Sequence, residues 1–560
     1  MLTCWRQRYD VRRAEGQSGK QFMNEFQTKI SPDSETFARN REDMLALVKR
    51  MRDLEARAAA KSEERRPVFD KRGQLSPRER VSALLDPGLP FLELYNMASY
   101  LVDDPDPDTS IPGASIILGI GYVEGVRAMV FADDAGINAG AMTQKSVDKA
   151  LGAIAIAERQ KLPFIHLVES AGADLMRYTV ELWAHGGGMF AGLARLSAAG
   201  IPVITVLHGA STAGGAYQPG LSDYVIGVRG NGMAMLAGAA LVQAATGETA
   251  QDADLGGAEM HAATTGLVEY LAANDAHGIE IAREVVAGLG WTPCGPALAD
   301  YAEPVLPPDQ IAGVVPVDYR TPCDMREVAA RIADGSDLRE FKPDFGPATL
   351  CLQARIMGQP VGLIGNNGPL DTDGAAKATH FLQAMDQAGT PVVFLNNTTG
   401  YMVGTASERA GMIKHGAKMI QAVTNLRVPK IALYTGASFG AGNYGMCGYA
   451  FGADFLFTWP NAMTGVMGGA QAALTMEQVA RRTAERKGVE ADEARLAAQR
   501  AKITAHFDRQ SDAFYTSGRV LDMGMIDPRD TRAVLGFCLQ TCQEARARRL
   551  NPNSFGVARI

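Results

Sequence analysis

At 560 residues the chain is too long for one compact core and calls for two large domains or about three of ~150 residues each. The composition is that of a globular protein, 46% apolar and 21% charged, and a net charge of −7 argues against a nucleic-acid scaffold. No apolar run reaches the ~18 residues of a membrane span, and seven scattered cysteines without a CxxC pair fit a reducing compartment, so a cytoplasmic location without membrane or zinc ribbon is expected.

The first 22 residues are Arg-rich, lack an apolar segment and carry Asp10 and Glu15, which fits neither a secretory nor a transit peptide. Residues 1–31 are therefore expected to be a disordered extension. A charged amphipathic helix is predicted over about 33–60, and a second opens at Ser76-Pro77. The runs "FIHLVE" (164–169), "VITVL" (203–207), "VVFLN" (392–396) and "KIALY" (430–434) are nearly all apolar, as in strands covered on both faces. Helical stretches fall between them, for example 147–161 and 374–387. The Pro-rich segment 291–318 reads as a linker and 475–505 as a protruding charged helical element. Cys538 and Cys542, four apart on a predicted helix, read as half-buried thiols rather than a metal clip. The fold class is α/β.

One stretch occurs twice. "GIPVITVLHGASTAGGAY" (200–217) and "RVPKIALYTGASFGAGNY" (427–444) share a Pro, an apolar run, G-A-S and a small-residue cluster ending in Tyr. "KLPFIHLVESAGA" (161–173) matches "GTPVVFLNNTTGY" (389–401) at almost the same offset, and "GVRAMVFADDAG" (125–136) loosely matches "GQPVGLIGNNG" (358–368). Two copies of one domain are expected, over 32–305 and 306–560.

A strand that enters a helix through glycines leaves backbone N–H groups pointing outward, where they favour negative charge. Two such ends side by side make an oxyanion hole, worth roughly 3–4 kcal/mol per donor. The expected donors are Ala171 and Gly172 with Gly214 and Gly215 in the first half, and Thr399 and Gly400 with Ala441 and Gly442 in the second. The alternative is that the glycines only let a helix pack closely on a strand. No P-loop and no H-E-x-x-H is present, so no metal is expected. Ser170 and Ser211 are not in G-x-S-x-G, and His185, His208, His261, His380 and His415 read as structural or pocket-lining. Two oxyanion sites without a protein base point to an enolate reaction in which a substrate or cofactor brings its own base.

The segments "RGQLSPRERVSALLDPGLPFLEL", "ESAGADL", "STAGGAYQPGLSDYV", "GNNGPLD", "TTGYMVG", "KHGAKMIQAV", "GASFGAGNYGMCG" and "GMIDPRDTRAVLG" resemble the carboxyltransferase (β) subunit of biotin-dependent acyl-CoA carboxylases. Within that family the chain is similar to the geranyl-CoA and 3-methylcrotonyl-CoA branch, with "NNTTGYMVG" and "GGAYQPGLSDYV" most like geranyl-CoA carboxylase. The resemblance implies two tandem crotonase-like (ClpP/crotonase) spiral domains and a β hexamer within an α6β6 complex, with sites between the first domain of one protomer and the second of another. It implies that a CoA thioester sits on the first hole, bordered by Ala135, Gly136, Ala171, Gly172, Ala173, His185, Gly186, Ala213 and Gly214. It places the biotin ureido oxygen on the second, among Thr399, Gly400, Tyr401, Phe439, Gly440, Ala441 and Gly442. The biotin would be carried covalently by an α subunit with biotin carboxylase and carrier domains, because no A-M-K-M-like site and no ATP-grasp signature is present here. The implied reaction moves CO2 from carboxybiotin to the γ-carbon of a branched, unsaturated acyl-CoA of the geranyl kind. Alternatives are 3-methylcrotonyl-CoA, another acyl-CoA, a sodium-pump-type decarboxylase carboxyltransferase, or a non-catalytic paralogous β subunit.

The chain departs from the family pattern at several places. Asn138 and Gln243 stand where Lys is usual, Gly188 where the branch has Arg, Met463 where Arg is usual, and Ala470 where Glu is usual. Ala171 replaces a Gly, which requires a negative φ there. Gly186 follows His185 where Phe is usual, so a deeper acyl pocket is expected unless Met189 or Phe190 refills it.

Overall fold

The computed structural model describes residues 26–292 and 300–557. The expectations for the first 22 residues, and Cys4 and Cys294, lie outside them. Two sheets organise the chain. The first holds β1 (Leu92–Glu93), β2 (Ile116–Val123), β3 (Val126–Asp133), β4 (Phe164–Ser170), β5 (Val203–Thr212), β6 (Tyr224–Val228), β7 (Met233–Met235) and β8 (Tyr270–Ala272). The second holds β9 (Arg339–Glu340), β10 (Thr349–Ile356), β11 (Gln359–Asn366), β12 (Val392–Thr398), β13 (Lys430–Phe439), β14 (Phe455–Thr458) and β15 (Met463–Gly465). The strand orders are β1-β2-β3-β4-β5-β6-β8, with β7 on β5, and β9-β10-β11-β12-β13-β14, with β15 on β13. Apart from β8 the two plans are the same.

The match extends to backbone detail. The antiparallel hairpins β2/β3 and β10/β11 turn on Glu124-Gly125 (φ 51° and 73°) and Met357-Gly358 (φ 48° and 81°). Two consecutive left-handed residues are what a tight hairpin needs to follow the strand twist. From β3 and β11 onward the pairing in each sheet is parallel. Every residue of β4 and of β13 is buried, which explains their unbroken apolar runs.

Helices cover the sheets. α1 (Glu35–Glu63) is capped by Ser34, whose side chain accepts from the Phe37 N–H. α2 (Pro77–Leu84) begins in a reciprocal capping box between Ser76 and Glu79, with Pro77 at its first position, as the sequence indicates. α3 (Gln144–Gln160) and α4 (Val180–Ala198) flank β4 in sequence, as α5 (Thr372–Ala388) and α6 (Met412–Asn425) flank β12. α7 (Gly469–Arg486) and α8 (Glu493–Ser511) pair along a seam where Gly469 lies so close to Asp508 that a Cβ there would be 2.4 Å from a carboxylate oxygen. Most of their other residues are exposed, as expected of a protruding element. α9 (Thr531–Ala547) closes the chain.

One apolar core runs through both halves, from Phe37 and Ile116 to Leu363, Trp459 and Leu535. The Pro-rich segment is more than a tether. Ile311–Val314 is buried, and a Cβ on Gly313 would lie 2.5 Å from the Phe37 ring. Arg127 of β3 reaches Glu544 of α9 at 3.1 Å, with its guanidinium between the rings of Tyr122 (4.7 Å) and Phe537 (4.4 Å). Both charges are withdrawn from water, so leaving one behind costs far more than the pair gains. Arg127→Ala should lower the unfolding free energy by about 3–5 kcal/mol, and the double variant with Glu544→Ala by less than the sum of the two single changes. Chemical denaturation of the three variants checks this; additive losses would show that the pair is not coupled.

Candidate functional site

The two repeated segments come together at the ends of paired parallel strands. β4 and β5 run in register until a shift between Val168 and Ser170 sets Ser170 opposite Ser211. β12 and β13 repeat this, with a shift between Asn396 and Thr398 that sets Thr398 opposite Ser438. Each outer strand then breaks into a loop and each inner strand into a helical turn.

The inner turns share one backbone conformation. Ala213 after β5 has φ 54° and Gly440 after β13 has φ 56°. An alanine in the left-handed region costs about 1 kcal/mol or more, so its surroundings must impose it. The chain continues into the 3-10 turn Ala213–Ala216 in one half and the short helix Gly440–Gly445 in the other. The first N–H groups of such turns, including those of Gly214 and Ala441, have no acceptor within the turn. Gly215 follows in the same turn, half-buried, with its Cβ position 3.2 Å from Ser211 Oγ.

The outer loops are also alike. Gly172 (φ 84°) and Gly400 (φ 123°) are left-handed, whereas Ala171 is not among the residues of positive φ, as an alanine in place of glycine requires. Three expected donors commit their N–H groups inside the chain. Ala171 N–H donates to Ala139 O at 3.0 Å, Gly172 N–H to Ser170 Oγ at 3.1 Å, and Gly400 N–H to Thr398 Oγ1 at 3.3 Å. The next residue is different. Met142 N–H donates to Gly172 O and Asp174 N–H to Met142 O, while Leu370 N–H donates to Gly400 O and Met402 N–H to Leu370 O. These ladders pass over Ala173 and Tyr401, whose own N–H groups have no acceptor among the described residues. Loop and turn are in contact. A Cβ on Gly172 would be 3.3 Å from Thr212 O, and one on Gly442 only 2.7 Å from Gly400 Cα. Gly442 therefore tolerates no side chain.

Other expected site residues fall as follows. Ala171, Ala173, Ala213, Thr399 and Ala441 are exposed beside the turns, whereas Phe439 is buried under its turn with its ring 5.3 Å from Tyr319. Tyr401 packs on α6, its hydroxyl donating to Gly416 O at 3.4 Å, and burial pushes its phenol well up, so it stays protonated. His185 is exposed on α4 with Nδ1 3.3 Å from Gln144 Nε2. A Cβ on Gly186 would meet nothing within 4 Å, while Phe190 one turn on is 3.6 Å from the Cβ position of Gly214. Ala135 and Gly136 pack behind the loop, with the Gly136 Cβ position 2.2 Å from Ser62 Oγ on α1. They connect to it through Asn138, Ala139 and Gly140, three successive left-handed residues whose carbonyls receive Ala171 N–H and Ser170 Oγ.

Beneath the turns lie polar networks that the sequence reading passed over. In the first half Arg80 sits 2.7 Å from Glu169 and 2.9 Å from Asp275. Asp275 is also 3.0 Å from His208 Nδ1, and Gln74 donates to His208 O at 2.7 Å. Glu169 is the penultimate residue of β4, and a Cβ on Gly209 would be 2.5 Å from its Cγ. Burial holds His208 below its ordinary range, with Arg80 pressing the same way. Burial alone would raise Asp275, but His208 and Arg80 bring its carboxyl below the usual range. The second half uses neutral groups: Ser438 Oγ donates to Asn396 Oδ1 (3.0 Å), and Asn443 Nδ2 to Ser438 Oγ (2.8 Å) and Tyr434 OH (3.2 Å). The signal available in the sequence was a Glu and two Asn inside otherwise apolar strand runs.

Three of the described cysteines are unreactive. Burial pushes the Cys323, Cys351 and Cys447 thiols up to about 12, which silences them. No group of three or more His, Cys, Asp or Glu positioned for a metal is found among the described residues. No helix among them is long and apolar enough to cross a membrane. Among the described residues the arrangement offers two similar sets of backbone donors at strand ends, a geometry that can hold oxygens carrying negative charge.

Comparison with known proteins gives a consistent result. The carboxyl transferase domain model matches residues 69–556. The chain is 47% identical over 490 residues to a probable biotin-dependent acyl-coenzyme A carboxylase beta2 subunit of Mycobacterium tuberculosis, covering 87% of this chain and 91% of that one. It is 40% identical to the mitochondrial methylcrotonoyl-CoA carboxylase beta chain of Arabidopsis thaliana, covering 95% and 91%. The crystal structure of the P. aeruginosa geranyl-CoA carboxylase beta subunit superposes with a TM-score of 0.90 at 49% identity, covering 96% of this chain and all of that one.

The buried His208 sets a pH dependence. Its folded-state pKa is depressed, so on acidification the unfolded chain takes up the proton first, starting near the ordinary value of 6.5. The contribution of His208 to stability should fall below that pH, by up to about 1.4 kcal/mol per unit, and be flat above it. Thermal unfolding between about pH 7.5 and 5.5 should show this slope, and His208→Gln should reduce it; an unchanged slope in the variant would mean that His208 is not the group responsible.

Proposed function

This chain belongs to the carboxyltransferase (β) subunits of biotin-dependent acyl-CoA carboxylases, and on that premise we propose that it transfers CO2 from carboxybiotin on a partner subunit to the γ-carbon of a branched α,β-unsaturated acyl-CoA, of the geranyl-CoA kind. The observation that carries this reading is the strand–turn unit built twice, each copy with one free loop N–H and a free helical-turn start. The thioester oxygen binds at Ala173 N–H and the Ala213–Gly215 turn, and the ureido oxygen at Tyr401 N–H and the Gly440–Gly442 turn. The Gly442–Gly400 contact keeps the second loop and turn together, because any side chain at Gly442 would overlap the Gly400 backbone. Carboxybiotin supplies both the CO2 and, after its release, the base that removes a proton from the acyl chain. The residues of this chain hold the two oxygens, strengthen their hydrogen bonds as charge develops, and leave the proton transfer to the reactants.

Ala173→Pro removes one donor with little change in size and should lower kcat by ~10²-fold or more while the chain remains folded. Near-normal turnover in the folded variant would remove Ala173 from the site.

The relatives of similar length are named as β subunits, which supports an α partner carrying biotin; an α6β6 complex is part of the same proposal. Exposed apolar side chains beside the turns, such as Met176 (94% exposed), Trp183 (71%), Val403 (80%) and Ile413 (78%), support burial against another copy. The shared strand order and hairpin turns support an internal duplication with halves at 32–305 and 306–560. A cytoplasmic site of action completes the reading.

Geranyl-CoA is favoured over smaller substrates by the open space at Gly186, since each further buried CH₂ contributes about 0.8 kcal/mol. The second reading, 3-methylcrotonyl-CoA, is favoured by Phe190, which lies against Gly214 and narrows that side. Carboxylation assays with the biotinylated partner across an acyl-CoA panel distinguish them: geranyl-CoA should show the highest kcat/KM. Gly186→Phe should shift the ratio of kcat/KM toward 3-methylcrotonyl-CoA by roughly tenfold or more. An unchanged ratio would contradict the pocket argument, and no carboxylation of any acyl-CoA would contradict the function.

A further inference from the structure

A cavity of about 590 Å³ lies away from both turns, under α1 and between the two halves. Its size is that of a small-molecule site. The apolar part of its wall comes from Val48 and Ala58 of α1, Ile116 and Ile117 of β2, and Ile137. The charged part is nearly closed on itself. Arg52 is 2.8 Å from Glu55 and 3.5 Å from Asp530, Arg529 is 2.5 Å from Asp527, and Asp134 accepts from Ser62 Oγ and Gly136 N–H. Two groups stand outside these pairs. Arg78, on α2, has a buried Nε without a partner, and no other hydrogen bond or ion pair to the described residues. Glu93, on β1, likewise has none, and burial raises its carboxyl while Arg78 pulls it down from too far away to pair.

A guanidinium and a carboxyl group that face one cavity, neither paired with another described residue, select their ligand by charge. A simple anion would satisfy Arg78 but face Glu93 and the other carboxylates. A simple cation would satisfy Glu93 but face three guanidinium groups. A neutral apolar molecule would leave the Arg78 charge unsolvated and the Glu93 carboxyl without a partner. A zwitterion satisfies both, with its carboxylate on the planar donor fork of Arg78 and its ammonium on Glu93. The isoleucine, valine and alanine wall then takes an apolar side chain. We propose that this cavity binds a free α-amino acid with an apolar side chain, through Arg78 and Glu93. The wall residues Asp134 and Ile137 lead directly into the Asn138–Gly140 turn that holds Ala171, so the site stands behind the first strand end rather than in it. It does not depend on which acyl-CoA is carboxylated.

The test is calorimetric titration of the full-length chain with L-valine, L-isoleucine, L-leucine, L-methionine and L-phenylalanine. At least one should bind with a single site per chain and a Kd below ~10 mM. For valine, the half-molecules 3-methylbutanoate and 2-methylpropylamine should bind at least roughly tenfold more weakly than the amino acid. Arg78→Met and Glu93→Gln should each weaken amino-acid binding by about tenfold or more, while Glu93→Gln leaves 3-methylbutanoate binding unchanged. Glu93→Gln keeps the shape of the side chain and serves as the reference variant if Arg78→Met fails to fold. No binding of any of the five, a half-molecule that binds as tightly as valine, or an unaltered affinity in Glu93→Gln would overturn the proposal.

Discussion

The structure turns on one constraint: two neighbouring parallel strands must end level with each other and then diverge, one into a loop and the other into a helical turn. The register shifts at Val168/Ser170 and Asn396/Thr398 set this up. The left-handed residues Ala213 and Gly440 then redirect the inner strand, and Gly172 and Gly400 redirect the outer one. Small residues follow from the contact. Where Gly442 meets Gly400, a single methyl group would overlap the backbone. The same requirement explains why Gly-Ala-Ser and the small-residue cluster recur in both halves.

Similar backbones are held in place by different chemistry. The first half relies on Arg80, Glu169, Asp275 and His208, which are buried and mutually dependent. The second relies on Asn396, Ser438, Asn443 and Tyr434, which are neutral. A buried charge network is disturbed strongly by losing one member, because its partners are left uncompensated, whereas a neutral amide–hydroxyl network loses one or two ordinary hydrogen bonds. The two turns are therefore expected to respond differently to acid. That difference fits the proposal that the two turns hold different partners.

Much of this was legible in the sequence, because strand cores, capping residues and glycine turns are local signals. The buried strands appear as apolar runs, α2 begins where Ser76, Pro77 and Glu79 indicate, and the repeated segments occupy equivalent places in two sheets of one plan. The free donors were harder to place. Ser170 and Thr398 are the last residues of β4 and β12, and their side chains capture the N–H groups of Gly172 and Gly400, which moves the free donor one residue on to Ala173 and Tyr401. The Pro-rich segment looked like a tether because its prolines break regular structure, yet Ile311–Val314 is buried against α1. The Arg80–Asp275 pair joins residues 195 positions apart and carries no local signature.

The central claim is that the twin turns hold two different oxygens. The most direct measurement is a crystal structure of the chain with a non-reactive acyl-CoA thioester analogue and free biotin. The account predicts the thioester oxygen within hydrogen-bond distance of Ala173 N–H and the Gly214 turn, and the ureido oxygen within the same distance of Tyr401 N–H and the Ala441 turn. Either oxygen bound elsewhere, or both ligands at one turn, would contradict it.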